Sequence, residues 1–143
     1  MKNKNGFTFV EILVTISILV ILISISVFAF RSTGADSRNT KRVNDIKQIQ
    51  VALDMYRKES GSYPQTITIG GELKNTTTGT VFLKKIPNNP SPEDDGTCAD
   101  QNYQYSYTTT TDTYTLSFCI SDSVGDFSAG NYQATINGII KIN

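Results

Sequence analysis

The pattern of apolar and polar positions divides the chain into three zones. From Phe7 to Phe30 runs a stretch of 24 residues, 18 of them apolar and five Ser or Thr, in which Glu11 alone is charged. At about 1.5 Å rise per residue this is enough helix to cross a bilayer core roughly 30 Å thick. An ordinary secretory signal peptide needs only about 7 to 15 apolar residues ahead of a small-x-small cleavage site, so the run is too long for one; a plain membrane anchor is the other bland alternative. The helical pattern then continues. Val43, Ile46, Ile49, Leu53 and Tyr56 recur every three or four positions with polar residues mostly between, which predicts an amphipathic helix that lays one stripe on a sheet. Gly61 with Tyr63-Pro64 behind it ends that run. Unbroken from Phe7 to Ser60, the helix is roughly 80 Å long.

Beyond it the period changes to two. Tyr103, Tyr105 and Tyr107 share one parity, Thr108 to Asp112 interrupts, and Tyr114, Leu116, Phe118 and Ile120 resume the alternation. Tyr132, Ala134 and Ile136 then precede Asn137-Gly138, a strong hairpin signal, with Ile139 to Ile142 behind it. Four antiparallel strands follow, one face burying the helical stripe and the other, rich in Thr and Ser, turned outward. The connection from Pro64 to Asn102 is long, and Val81-Phe82-Leu83 within it is too short to assign as a strand. The expected class is α+β: a long N-terminal helix, half membrane-spanning and half amphipathic, packed on a small antiparallel β-sheet.

Composition narrows the chemistry. The chain has no His, two Cys, and 13 basic residues against 13 acidic ones. Without His there is no Ser-His-Asp or Cys-His catalysis and none of the commonest zinc ligand, and zero net charge argues against a grip on phosphate backbones. No enzyme activity and no nucleic-acid partner are expected. The even total hides a segregation: residues 31 to 60 carry seven basic and four acidic side chains, a net +3, and residues 61 to 143 carry four and eight, a net −4. Lys2 and Lys4 precede the apolar run with no acid among the first six residues, which keeps the N-terminus in the cytoplasm and places everything beyond Arg31 outside.

Glu11 is the residue that separates this run from a plain anchor. A carboxylate in a spanning helix costs about 2.5 to 3.5 kcal/mol on insertion scales, so such residues have a partner or a pathway. No cation lies near it on its own helix face except Lys4 at the membrane edge. A free amino group at the start of a neighbouring copy would serve.

The stretch Gly6-Phe7-Thr8-Phe9-Val10-Glu11, behind a short leader with Lys2 and Lys4 and ahead of a long apolar run, resembles the processing motif of type IV prepilins and of the pseudopilins of type II secretion. The segment Asp45 to Pro64, DIKQIQVALDMYRKESGSYP, is similar to the second half of the pilin helix, so the resemblance covers about the first 64 positions. It implies a pilin-like fold, a leader of residues 1–6, an apolar transmembrane and filament-core helix over 7–30, and an extracytoplasmic head over 31–143. It further implies that a prepilin peptidase cuts between Gly6 and Phe7 and methylates the new Phe7 amine, and that Glu11, fifth in the processed chain, pairs with the terminal amine of an adjacent subunit. Many pilins have a proline twenty-second in the processed chain, where this one has Phe28. Ser24, Ser26, Ser32, Thr33 and Gly34 nevertheless weaken the helix there, and the expectation is that this zone stretches or melts in an assembled fibre.

Cys98 and Cys119, on the outer side of a membrane, are expected to form a disulfide, the alternative being two unrelated thiols with Cys119 simply in the core. Glu93, Asp94, Asp95 and Asp100 cluster in one loop, and Asp122 and Asp126 flank Gly125 in another. Neither fits a twelve-residue calcium loop, and solvated turns are the commoner outcome; Asp122 and Asp126 resemble the calcium loop of major pseudopilins in composition only. Asn75-Thr76-Thr77 matches the glycosylation acceptor pattern.

The sequence thus predicts a non-enzymatic filament subunit: an inner-membrane precursor in lipid that meets a prepilin peptidase and an inner-membrane assembly platform, then packs with identical subunits in a surface filament. The alternatives are a major pseudopilin of a type II secretion system and a membrane-tethered binding module that never polymerises.

Overall fold

The computed structural model describes residues 8–91, 98, 106–110 and 112–142. One helix, α1 (Phe9–Ser60), precedes six strands: β1 (Leu73–Lys74), β2 (Val81–Leu83), β3 (Ser106–Thr109), β4 (Tyr114–Ile120), β5 (Gly130–Thr135) and β6 (Gly138–Ile142). The layout is α+β. By internal packing the chain divides into two units, Met1–Gly34 and Ala35–Asn143. The helical assignment passes through the serine- and glycine-containing zone without a break.

In the second unit the strands form a four-stranded antiparallel sheet in the order β3-β4-β5-β6 and a separate two-stranded sheet of β1 and β2. Register follows parity. Leu116 faces Ala134 and Phe118 faces Tyr132 across β4 and β5, and the second pair stacks with ring centroids 5.6 Å apart. Tyr114, Leu116, Phe118 and Ile120 are all buried, as are Tyr132 and Ala134, and they meet Val43, Ile46, Ile49 and Leu53 of α1 in one core. Tyr56, at the end of that helical stripe, is partly buried against the core and packs on Phe82 at 5.5 Å. Period-three-and-four spacing on the helix and period-two spacing on the strands therefore converge on a single apolar layer.

The ends of these elements have local causes. Gly61 takes φ +78° and its N–H donates to the carbonyl of Arg57 at 2.8 Å, the left-handed cap that stops α1. Tyr63 then packs edge-on to Tyr114 at 4.9 Å, with the Arg57 guanidinium over its ring at 5.1 Å from the centroid.

Three expectations shift. The interruption between the first two strands starts at Thr110, not Thr108: Thr108 and Thr109 pair with Thr115 and Tyr114, because β-branched side chains suit a pleated ladder. Ile136 is not in a strand but in the turn and exposed, since Thr135 pairs directly with Gly138. Among the described residues none other than glycine has positive φ, so Asn137 does not adopt the left-handed conformation of a primed turn, and Gly138 at φ +118° makes the reversal. Val81-Phe82-Leu83 does form a strand, pairing with β1. Tyr103 and Tyr105 lie outside the described residues.

The disulfide is present. Cys98 and Cys119 are bonded across 21 positions, with Cα atoms 6.0 Å apart, and both are buried. Cys119 has the outward parity of β4, so it is the bridge to Cys98, not the helix-facing core, that covers it. Closing a loop of this length contributes about 3 kcal/mol in the chain-entropy model. Replacing both cysteines by Ala is expected to lower the unfolding free energy of the detergent-solubilised full chain by about that amount, read by chemical denaturation.

Burial pushes the Tyr114 phenol up to about 12, and burial raises Tyr107 as well. A group whose folded value lies above its unfolded value of 10.0 stabilises the fold below that pH, and the contribution is lost as pH climbs through the folded value. The head should therefore lose stability between pH 10 and about 12, and Tyr114→Phe should reduce that loss, measured by circular dichroism across the alkaline range.

Candidate functional site

The first unit presents an apolar helix with nothing packed on it. Phe9–Ser26 has a mean hydropathy of 2.6 over 18 residues and none of it is buried; among the described residues it is the one helix long and apolar enough to cross a membrane. Four hydroxyl side chains interrupt this surface and a fifth, Thr8, immediately precedes it; the four within are satisfied by the helix itself. Thr15 Oγ1 donates to the Glu11 carbonyl at 2.8 Å, Ser17 Oγ to Leu13 at 2.8 Å, Ser24 Oγ to Val20 at 2.7 Å and Ser26 Oγ to Leu22 at 2.9 Å. An unpaired hydroxyl in an apolar medium costs several kcal/mol, so these bonds make the segment effectively apolar all round.

The fifth hydroxyl belongs to the site. Thr8 caps α1: its Oγ1 accepts the Glu11 N–H at 3.3 Å, while Glu11 Oε2 accepts both the Thr8 N–H at 2.7 Å and the Thr8 Oγ1–H at 2.8 Å. This is a reciprocal capping box, Thr-x-x-Glu, which satisfies orphan donors of the first turn and puts an anion at the positive end of the helix. The sequence reading looked for the partner of Glu11 only among cations and missed this pattern, although Thr8 three residues before Glu11 is its standard signal. Thr8 supplies hydrogen bonds but no charge. Among the described residues no cation lies within ion-pair distance of Glu11. The capping bonds position the carboxylate at the start of the helix, and among the described residues it has no ionic partner. The expected scissile bond, Gly6-Phe7, and the Phe7 amine lie outside the described residues.

The remaining candidates are in the second unit. Asp122 and Asp126 are exposed in the loop after β4. Asp122 Oδ1 accepts the Ser123 N–H at 2.7 Å and its carbonyl accepts Asn39 Nδ2 at 3.1 Å. Among the described residues no group of three or more acidic or Cys side chains is gathered for a metal ion; Glu93, Asp94, Asp95 and Asp100 lie outside them. Asn75 is buried at 7% exposure, and its amide is fully used: Nδ2 donates to Ser60 Oγ at 2.9 Å, and Oδ1 accepts the N–H groups of Thr77 and Thr78 at 2.8 and 3.2 Å. It shapes the β1–β2 turn and ties it to the end of α1, which removes it as an open glycan acceptor.

Arg42, in the net-basic stretch 31 to 60, is buried at 1% exposure. Its Nε donates to Asn89 Oδ1 at 2.9 Å and its NH1 to Asn39 Oδ1 at 2.7 Å, while Asn39 Oδ1 also accepts the Ser121 N–H at 3.2 Å. The guanidinium thus ties α1 to the segment before the disulfide loop and to the end of β4. No periodicity distinguishes Arg42 from its exposed neighbours, because its depth depends on segments 47 and 79 positions away.

Comparison with known proteins bears on the N-terminal end. Neither a curated protein nor a solved structure matches the chain. Residues 1–27 match the family model described as the prokaryotic N-terminal methylation motif, and they include Gly6, Phe7, the Thr8–Glu11 cap and the apolar helix up to Val27. The chain carries the prepilin signal of type IV pilins and pseudopilins.

Proposed function

We propose that the chain is the structural subunit of a type IV pilus-like filament. The observation that carries this reading is the combination at one helix end: a methylation motif over residues 1–27 and, within it, a lone carboxylate capped by Thr8 on an otherwise apolar, unpacked helix. The precursor waits in the inner membrane with its N-terminus in the cytoplasm. A prepilin peptidase removes residues 1–6 and methylates Phe7. An assembly platform then brings subunits together, and the Phe7 amine of one neutralises Glu11 of the next.

The physics supports each step. Beyond Glu11, the apolar surface of Ile12 to Ser26 is stable in lipid and equally stable against other copies of itself, so transfer from bilayer to filament core exposes little of it to water. The capped Glu11 resists both environments until a cation arrives, so pairing fixes the axial register of neighbours; an unpaired buried charge costs several kcal/mol. The new amine becomes available only after cleavage, which couples maturation to assembly.

One observation favours a second reading, the major pseudopilin of a type II secretion system: α1 contains no proline, and Phe28 stands where many pilins have one. Electron microscopy of sheared surface fractions separates the two, long fibres supporting the pilus and short or absent ones the pseudopilus; a tether that never polymerises yields none.

Glu11→Ala is expected to leave membrane insertion intact and to abolish or disorder filaments, seen by cell fractionation alongside microscopy; normal fibres from this variant contradict the mechanism. Gly6→Glu is expected to block maturation, so that intact-mass measurement finds Met1–Gly6 retained.

A further inference from the structure

The side of α1 turned away from the sheet carries a second apolar row. Val51 and Met55, one turn apart, are 55% and 53% exposed, whereas Ile49 and Leu53, each two positions earlier, are fully buried against the strands. With Phe82 and Leu83 of β2 on one flank and Ala52 at the base, they line a groove of about 390 Å³. Its one charged side chain is Lys47, at the start, and Gln48 stands next to it. From Gln48 to Met55 the lining side chains are neutral over seven residue steps, roughly 10 Å, or two turns of a helix laid along it. Gln48, Val51 and Met55 are spaced three and four apart, the spacing of a helix-packing seam, and Met is the side chain that adapts most readily to an irregular partner.

We infer that this groove receives the Phe9–Ser26 helix of a second copy of the chain. The inference rests on the filament reading above and adds to it the surface on the head that meets the apolar core. Two properties select this occupant. From Ile12 to Ser26 the segment has no charged residue, matching a groove that is uncharged beyond Lys47, and its hydroxyls at Ser17 and Ser24 are turned back onto the helix, so two turns can enter without stranding a polar group. The segment also has large apolar side chains on every face, from Phe9 at 79% to Leu13 at 49% exposed, so self-packing in a bundle leaves outward faces that need apolar cover once the lipid is gone. On the described part of the head, exposed large apolar side chains are Val51, Met55, Val81, Ile136 and Ile140, and two of these form the groove with Phe82 and Leu83.

The test uses the full chain in its own cells. Val51→Lys and Met55→Lys lie on exposed positions, so the disulfide and leader cleavage should form as in the unaltered chain while filament yield falls by at least about ten-fold. Ile140→Lys, equally exposed but outside the groove, should leave yield unchanged. A photoreactive benzoylphenylalanine at position 55, irradiated in assembled filaments, should cross-link to a peptide within residues 9–26 of another copy. Normal filaments from both lysine variants, equal loss from Ile140→Lys, or a cross-link to a second head, to lipid or to a different protein overturns the inference. Absence of filaments from the unaltered chain overturns the filament reading itself, a result distinct from these.

Discussion

The proposed use of this molecule rests on a single charge, Glu11, in an otherwise apolar helical segment. Glu11 cannot be left in oil without compensation, and the structure compensates only half of the problem: Thr8 satisfies its oxygen with two hydrogen bonds, but brings no positive charge. Hydrogen bonds fix where the carboxylate sits, and charge decides what it will accept. In the proposed filament the counter-charge is the amine that cleavage before Phe7 would create, a compact cation suited to an anion fixed at a helix N-terminus. On that reading, the turn that caps the helix also presents the carboxylate to a neighbouring subunit.

The head solves a different problem. It must hold a sheet on one stripe of α1 while leaving another stripe free, and it does so with a core in which helix and strand periodicities interlock and with two cross-ties outside that core. The disulfide fastens Cys98 to β4, and Arg42 joins α1 to Asn89 and Ser121 a few residues away from it. Asn75 makes a third tie, from the β1–β2 turn to Ser60. The disulfide is a covalent link to the sheet, and Arg42 and Asn75 are polar links to α1.

Much of this was legible in the residues. The period-two run Tyr114, Leu116, Phe118, Ile120 and the helical run Val43, Ile46, Ile49, Leu53 correctly named both faces of the core, because burial on one side enforces alternation that nothing else explains. The cysteine pair followed from compartment alone. The misses share a cause. The burial of Arg42 has no local signature because it arises from contacts far along the chain; Ile136 reads as strand because the turn takes its positive φ at Gly138 alone; and β2 is three residues long, below what a pattern can carry. The Thr8–Glu11 cap was present in the sequence as a local motif and was passed over in the search for a counter-charge.

The account is tested most directly by a high-resolution map of the assembled filament at the depth of Glu11. It predicts a chain that begins at a methylated Phe7 and a Glu11 carboxylate within about 4 Å of the Phe7 nitrogen of an adjacent subunit. A subunit that retains Met1–Gly6, or a Glu11 that rests on its own Thr8 with no neighbouring amine in reach, would contradict it.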